Sequence, residues 1–229
     1  MKSMKRYVPL LIIGAISLMV WISGVHHYFS FEQLRLHHED LETYINLYPV
    51  TSFALYMGVY IALVGLSIPG ATFMTLTGGF LFGQMVGTGL VVISATIGAT
   101  LLFISAKLAS EGFLSRKAGP WFEKMKRGFQ EDAFSYLLTL RLIPIFPFVA
   151  INLVAALFQI PLWTFVVTTF VGIIPGSFVY VSIGNAFKDL ILTPNLTPTI
   201  VLEPKFMIAL VGLGILSLLP VLYKRLHNR

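Results

Sequence analysis

Residues 140–148 read Leu140-Arg141-Leu142-Ile143-Pro144-Ile145-Phe146-Pro147-Phe148 and hold the single charge of an apolar stretch from Ala133 to Phe187. A charge at membrane depth costs roughly 2.5 to 3.5 kcal/mol on insertion scales, so it usually faces protein or water and serves a function. Both prolines lack an N–H group, and each disfavours helical geometry in the residue before it. A broken helix persists in lipid only where its freed carbonyls are buried in protein or line a cavity. The segment therefore predicts an embedded site whose buried cation suits an anionic headgroup.

The composition of the whole chain indicates a membrane protein. Of its 229 residues, 56% are hydrophobic and 11% are charged, whereas about 25% of residues are charged in an ordinary soluble domain. No charge occurs from Thr43 to Ala106 or from Leu142 to Phe187. Each of these runs is longer than the roughly 20 residues that one spanning helix needs. We therefore predict an all-α polytopic membrane protein.

The positive charge follows from membrane topology, so nucleic acid is not a predicted partner. Twelve of the 16 Lys and Arg residues lie before the first apolar segment, in the central loop and after the last segment. They are Lys2, Lys5, Arg6, Lys107, Arg116, Lys117, Lys124, Lys126, Arg127, Lys224, Arg225 and Arg229. Cytoplasmic loops carry such an excess, which predicts that both termini are cytoplasmic. The compact length favours the inner membrane of a bacterial cell, and the Golgi membrane is the alternative.

Two flanking regions enclose a central one. We interpret the apolar segment 7–25 as a retained transmembrane helix, because it is long for a signal peptide and no small-residue cleavage site follows it. The outward loop 26–48 shows apolar residues at helical spacing opposite Glu32, Glu39 and Glu42, which predicts an amphipathic surface helix. Segment 206–223 is predicted to be the last span. The predicted division is 1–48, 49–187 and 188–229.

The central region predicts two hairpins, each followed by a span. Ser52 to Leu66 is short for a span, meets a break that contains Pro69 and Gly70, and a second short apolar piece ends at Gly83. Short pieces around such a break predict a re-entrant hairpin, and the span 85–106 follows it. The cytoplasmic loop 107–132 then leads into a second hairpin around Arg141 that ends near residue 159, and into the span 161–187.

The two hairpins form a weak internal repeat. Leu66-Ser67-Ile68-Pro69-Gly70-Ala71 matches Arg141-Leu142-Ile143-Pro144-Ile145-Phe146 at a shift of 75. The first copy is predicted to start outside and the second inside, so the copies are inverted. Inverted repeats with interrupted helices are typical of secondary transporters, whose site lies between the repeats near the midplane. The spacing of Gly79, Gly83 and Gly87 is most simply a close-packing helix face.

These motifs together resemble the SNARE-associated Golgi protein branch of the DedA superfamily, the VTT-domain proteins, over about residues 55–184. The resemblance rests on the Pro69-Gly70 segment, on Gly78-Gly79-Phe80-Leu81-Phe82-Gly83, on residues 140–148 with Asn152, and on Pro175-Gly176 with Tyr180 and Gly184. Some members are implicated in translocating polyprenyl phosphates or phospholipids. The resemblance implies two hairpin tips, one with Arg141, Pro144 and Pro147 and one with Pro69 and Gly70. Asn152, Pro175 and Gly176 are the further substrate-binding candidates.

The chain departs from the DedA pattern at two charged positions. Ala71 and Thr72 stand where those proteins usually carry a carboxylate, and Pro147 or Phe148 stands where many carry a second arginine. The first departure weakens proton coupling, and the second leaves less positive charge for a diphosphate. Glu131 and Asp132, at the cytoplasmic mouth of the second hairpin, are the candidate proton-coupling acids. More often such residues cap a helix and stay solvated.

No cofactor, metal site or enzymatic activity is predicted. The chain has no cysteine, no His-Glu-x-x-His motif, no Gly-rich phosphate loop and no nucleophile elbow. The histidines at positions 26, 27, 37 and 38 match no zinc spacing, and we interpret them as surface residues on a solvated helix. The predicted partners are membrane lipids with anionic headgroups, with a homo-oligomer as a further possibility.

Three functions remain open at this point. The first is a transporter in which Arg141 binds the phosphate of a phospholipid or polyprenyl carrier, since guanidinium stays charged and binds oxyanions through two hydrogen bonds. The second is a proton-coupled small-ion carrier that uses Asp132 or Glu131. The third is a membrane organiser that does not transport, in which Arg141 ties helices together.

Overall fold

The computed structural model describes residues 31–117, 129–142 and 146–192, and these residues form helices and turns without any strand. The helices, labelled in chain order, are α1 (Phe31–Leu36), α2 (His38–Leu47), α3 (Pro49–Gly65), α4 (Ala71–Phe82), α5 (Gln84–Lys117), α6 (Ala133–Leu142), α7 (Phe148–Leu157) and α8 (Leu162–Leu192). The predicted flanking spans 7–25 and 206–223 lie outside the described residues, and so does Pro144. The division into three regions stays a prediction.

Two helices, α5 and α8, are long and apolar enough to cross a membrane. Their apolar parts, Gln84–Ser110 and Leu162–Lys188, each contain 27 residues. At 1.5 Å per residue this gives about 40 Å, more than the roughly 30 Å of a bilayer's hydrocarbon core. The predicted all-α polytopic membrane fold is confirmed.

The two long helices run antiparallel to each other. Phe103 of α5 stacks on Phe165 of α8, with ring centroids 4.2 Å apart. Toward the other end, the Gln84 side chain donates a hydrogen bond of 3.0 Å to the carbonyl of Phe178. The beginning of one helix therefore lies beside the later part of the other, as two inverted copies require.

The first hairpin consists of α3 and α4, whose arms return on each other. The Phe53 and Phe82 rings meet at the open end, with centroids 5.3 Å apart. Nearer the tip, the Tyr60 hydroxyl lies 2.8 Å from the Thr75 hydroxyl. The arms have 17 and 12 residues, and a span needs about 20. Both arms are shorter than a typical span and lie side by side, as the predicted re-entrant hairpin requires.

The tip of the first hairpin is a helix stop built from backbone bonds. Ser67 has a φ of +57°, and its N–H bonds to the Val64 carbonyl while the Ile68 N–H bonds to the Leu63 carbonyl. This is a Schellman motif, which satisfies carbonyls that the end of a helix leaves free. Pro69 then prevents the helix from resuming, and Gly70, with a φ of +144°, makes the turn into α4 that other residues rarely adopt.

The second hairpin consists of α6 and α7, of 10 residues each. Its open end is held by the Gln130 side chain, which donates a 2.7 Å hydrogen bond to the Phe158 carbonyl. Near its tip, Arg141 of α6 contacts Asn152 of α7. The predicted helix–break–helix unit is therefore present in both halves of the chain, and each is followed by a long helix.

The two halves of the chain are interleaved, because one arm of each hairpin packs on the long helix of the other half. The first arm of each hairpin packs on the long helix that follows it: α3 lies on α5, and α6 lies on α8. The second arm crosses over, so that α4 packs on α8 and α7 packs on α5. Helix α5 begins at the open end of the first hairpin, and about 35 Å further along its axis Lys107 bonds to Ile160 at the open end of the second. The hairpins enter from opposite ends, which confirms the inverted repeat.

Glycines allow the crossing helices to touch backbone to backbone. A Cβ atom on Gly79 would collide with the Val181 carbonyl oxygen, and a Cβ atom on Gly184 would collide with that of Leu76. A Cβ on Gly87 would lie 2.6 Å from the Gly78 carbonyl oxygen. The close-packing interpretation is confirmed for Gly79 and Gly87. Gly83 has a different role, since its φ of +73° forms the turn between α4 and α5.

The helix that we predicted to end at residue 106 continues into the predicted cytoplasmic loop. Helix α5 continues to Lys117, because Ala, Leu, Lys and Glu favour helix whether or not lipid surrounds them. The change from apolar to charged residues marked the membrane boundary and not the helix end. Lys107 donates a 2.6 Å hydrogen bond to the Ile160 carbonyl at the turn between α7 and α8.

The predicted amphipathic helix is present as α1 and α2, and α2 meets α3 at 117°. One histidine differs from the expectation of a solvated surface. His38 is only 6% exposed, its ring packs edge-on against Phe80 at 5.3 Å, and its Nε2 lies 3.1 Å from Glu42. The surface interpretation was wrong for His38 because α2 folds back over the first hairpin, a contact that helical spacing does not reveal.

Candidate functional site

The two hairpins and the two long helices enclose a cavity of about 300 Å³, within the lower range of ligand pockets. Every one of these elements contributes to its wall. The lining residues are Tyr60, Val64, Ala71, Thr72, Thr75, Ala95, Leu140, Arg141, Phe146, Phe148, Ile151, Ile173, Gly176, Ser177 and Tyr180. Arg141 is the one charged residue among them.

Arg141 is held in place by two polar side chains from different helices. Its Nη2 donates a 2.6 Å hydrogen bond to Oδ1 of Asn152 on α7 and a 3.0 Å hydrogen bond to Oγ1 of Thr169 on α8. The residue is only 8% exposed. No carboxylate in the described part of the chain forms an ion pair with it. The positive charge is therefore buried without a compensating negative charge from these residues.

Three nitrogen atoms at this site lack a hydrogen-bond acceptor among the described residues. They are Nε and Nη1 of Arg141 and Nδ2 of Asn152. A buried donor without a partner costs about 1 to 3 kcal/mol, and more when it is charged. Native proteins satisfy most such groups, so these atoms point to a ligand or water with acceptor oxygens.

Two aromatic rings partly compensate the guanidinium. Its central carbon lies 4.5 Å from the centroid of Phe148 and 5.3 Å from that of Phe165. The negative faces of such rings attract a cation, and the attraction increases when water is excluded. The rings supply no hydrogen-bond acceptor, so Nε and Nη1 still lack partners there.

The beginnings of two helices add positive potential. Helix α4 starts at Ala71 and α7 starts at Phe148, and both residues line the cavity. Neither Gly70 nor Pro147, which precede them, provides a side-chain cap. The first turn of a helix has free N–H groups and the positive end of the helix dipole, which favour an anion. These ends and Arg141 together make a site for negative charge.

A neighbouring cavity of about 350 Å³ lies between the tip of the first hairpin and the beginning of α7. It is lined by residues 63–64 and 67–72 of the first hairpin and by Phe148 and Val149 of the second. Val64, Ala71, Thr72 and Phe148 belong to both walls. The two cavities are thus adjacent, and the helix beginnings lie between them.

The predicted site residues lie at different distances from the cavity. Arg141 and Asn152 form the hydrogen bond described above, and Gly176 lines the cavity. Pro69 and Gly70 line the neighbouring cavity. Pro147 precedes α7, and Pro175 lies within α8; neither lines either of these two cavities. Whether any of them binds substrate stays a prediction.

The two candidate proton-coupling acids lie away from the cavity. Glu131 and Asp132 are exposed at the open end of the second hairpin. Asp132 directly precedes α6 and is nine residues before Arg141, which corresponds to about 14 Å at the helical rise. Their role in proton coupling stays a prediction.

Sequence reasoning missed Thr169, Phe165 and Gly172, which all contact Arg141 from α8. The available signal was weak: a threonine pair and a glycine within an apolar span. Elsewhere in residues 31–117, 129–142 and 146–192, no group of three or more His, Cys, Asp and Glu side chains has the geometry of a metal site.

Comparison with known proteins gives one domain match and several relatives. The VTT domain matches residues 68–186. An uncharacterized membrane protein of Arabidopsis thaliana is 34% identical over 203 residues, which cover 86% of this chain and 68% of the relative. The transmembrane protein 41 homolog of Dictyostelium discoideum is 31% identical over 180 residues, covering 77% of this chain and 51% of its own length. Human transmembrane protein 41B is 27% identical over 189 residues, covering 81% and 63%. No solved structure matches.

Proposed function

Because this chain belongs to the VTT-domain family, the DedA and SNARE-associated Golgi family of membrane proteins, we propose that it translocates a phosphate-bearing lipid. The headgroup of a phospholipid or polyprenyl phosphate enters the cavity between the hairpins, while its acyl or prenyl chain stays in the bilayer. In this proposal the lipid is the substrate and the protein forms no covalent bond to it.

The observation that carries the proposal is the state of Arg141. Arg141 is buried, and among the described residues it has no carboxylate partner and two of its nitrogen atoms have no acceptor. A phosphate oxyanion would neutralise the charge and accept hydrogen bonds from Nε and Nη1. Such charge-assisted bonds to guanidinium are about twice as strong as neutral ones. The unpaired Nδ2 of Asn152 is a further donor for the same anion.

The position of the site supports movement across the bilayer. The hairpins enter from opposite ends of the helix pair, so the cavity between their tips lies near the middle of the membrane. Transporters with inverted repeats bind substrate at this depth and use the beginnings of interrupted helices to bind anionic groups. On the outside of α5, Ile93, Ile97 and Leu101 are exposed at helical spacing, as expected of a surface that contacts lipid chains.

The runner-up is the membrane organiser. Arg141 bonds to Asn152 and Thr169 and so joins α6, α7 and α8, which is what that function requires. The proton-coupled ion carrier has less support, because no acidic side chain lines the cavity in the described part of the chain. The proposed orientation has cytoplasmic termini in a bacterial inner membrane or, as the alternative, a Golgi membrane, and a homo-oligomer stays a prediction.

The test is lipid translocation by purified protein in liposomes. We expect wild type to move a labelled phospholipid or polyprenyl phosphate but not an uncharged lipid of the same chain length. Arg141→Ala should abolish this movement, and Arg141→Lys should reduce it because an ammonium group cannot make two parallel bonds to a phosphate. The matched control is Lys188→Ala, which removes a partly exposed charge at the far end of α8.

The same experiment separates the runner-up. If Arg141 only ties helices together, wild type will move neither probe, and Arg141→Ala will lower the melting temperature in detergent. Flux of wild type that Arg141→Ala leaves unchanged would contradict the proposed role of Arg141 directly.

A further inference from the structure

Helix α8 approaches the stem of Arg141 so closely that only glycine fits at the contact. A Cβ atom on Gly172 would lie 2.5 Å from Cβ and 3.2 Å from Cγ of Arg141, and 3.3 Å from Cδ1 of Leu138. Protein interiors are packed to the density of organic crystals, so the contact between α6 and α8 has no spare room for a methyl group. A larger residue at 172 would therefore displace the arginine or separate α6 from α8.

Thr169, one turn earlier on the same helix, contacts the other end of the side chain. Residues three apart on a helix share a face, so Gly172 faces the stem while Thr169 accepts a hydrogen bond from Nη2. Because Nη2 has two hydrogens, Thr169 and Asn152 together use both. The hydrogens on Nε and Nη1 have no acceptor among the described residues, so they can bond to an anionic ligand.

We propose that Gly172 and Thr169 are positioning residues that set where the Arg141 guanidinium lies and which of its nitrogen atoms face the ligand. The inference rests on the proposed function, since the ligand is the phosphate of that lipid. Arginine has a long side chain with much rotamer freedom, so a fixed guanidinium requires contacts at both its stem and its head. Gly172 provides the first by its lack of a side chain, and Thr169 provides the second by its hydroxyl.

The chain offers a matched control for each residue. Gly89 of α5 has no atom within 4 Å of the position that a Cβ atom would take and lines neither cavity, so Gly89→Ala makes the same chemical change without a collision. Thr168, next to Thr169, is fully buried, and its hydroxyl bonds only to its own helix, at the carbonyls of Thr164 and Phe165. Thr168→Val therefore removes a hydroxyl of the same kind that does not reach Arg141.

The first readout is the dependence of translocation on the mole fraction of the phosphate-bearing probe. Thr169→Val should raise the half-saturating mole fraction by about tenfold, the effect of losing one hydrogen bond to a charged group. Gly172→Ala should raise it at least as much, while Thr169→Ser should restore it. Gly89→Ala and Thr168→Val should leave it within about twofold, the usual range for substitutions without a specific contact. Equal effects of Thr168→Val and Thr169→Val would overturn the proposal.

The second readout does not depend on transport. In protein labelled with ¹⁵N-arginine, the Nε–H resonance of Arg141 is identified by its loss in Arg141→Lys. A fixed guanidinium gives a resolved resonance away from that of free arginine, and we expect Gly172→Ala and Thr169→Val to move it toward the free value. If wild type moves no probe but these shifts occur, the proposed function fails and the positioning role stands. If neither variant changes the resonance, the positioning role is wrong, whatever the flux.

Discussion

Gly184→Ala should destabilise the protein strongly, because α8 touches α4 at this residue without any side chain between them. The added Cβ would collide with the Leu76 carbonyl oxygen and also meet the Leu76 Cα at 2.8 Å. Overpacking a core costs about 1 to 3 kcal/mol, and we expect the upper end because backbone, unlike a side chain, cannot turn aside. Alanine recovers about 1 kcal/mol through its higher helix propensity. The net loss in the free energy of unfolding is therefore about 2 kcal/mol.

The matched control is Gly89→Ala on α5, where no atom lies within 4 Å of the new Cβ. This variant should gain up to about 1 kcal/mol from helix propensity alone, so the two variants should differ by about 3 kcal/mol. The assay is reversible unfolding in mixed micelles by titration with a denaturing detergent, followed by circular dichroism. If Gly184→Ala is as stable as Gly89→Ala to within about 0.5 kcal/mol, the backbone contact between α4 and α8 is not as close as described.

Three further substitutions test the hairpins in the same unfolding assay. Ser67→Gly should stabilise the protein by about 1 kcal/mol, because the φ of +57° strains any residue with a side chain. Ser67→Val should destabilise it for the same reason. Equal stabilities of the two variants would contradict the Schellman motif at this position. Tyr56→Phe should lower the free energy of unfolding by about 1 kcal/mol, because it removes the 2.7 Å hydrogen bond to the Met74 carbonyl. The Tyr180 hydroxyl makes no hydrogen bond to the described residues, so Tyr180→Phe should leave the stability unchanged. Lys107→Met should lower the free energy of unfolding by about 1 kcal/mol, because it removes the hydrogen bond to the Ile160 carbonyl. Lys188→Met should lower it by at most about 0.5 kcal/mol, as is usual for exposed ion pairs. A larger loss for Lys188→Met than for Lys107→Met would contradict this expectation.

The contact between Arg141 and Asn152 could be anticipated, but the contacts from α8 could not. Arg141 and Asn152 are separated by a short break, so a hairpin brings them together whatever the rest of the chain does. Thr169 and Gly172 lie in a different helix, and their contacts depend on where α8 crosses α6. A threonine or glycine in an apolar span has the same local pattern whether it faces lipid, its own backbone or an arginine.

Helix ends and the roles of individual glycines were also only partly predictable from the sequence. Charge and hydropathy report the environment of a segment, so they marked the membrane boundary near Lys107 but not the end of α5, which backbone hydrogen bonds extend to Lys117. The spacing of Gly79, Gly83 and Gly87 suggested one common face, yet Gly83 forms a turn with a φ of +73°. The spacing of residues along the sequence predicts which of them share a face only while the helix continues. It does not predict where the helix ends.

The sequence by itself determined the membrane class, the two interrupted hairpins and the family, and it singled out Arg141 as the one charge of an apolar stretch. These properties depend on composition, on proline and glycine, and on the cost of a charge in lipid, and all of them act locally along the chain. Only the tertiary structure decided that the hairpins exchange arms, that the two helix beginnings meet beside Arg141, and that Nε and Nη1 lack acceptors among the described residues. Those properties depend on which surfaces of distant helices come into contact, and packing of the whole chain sets that.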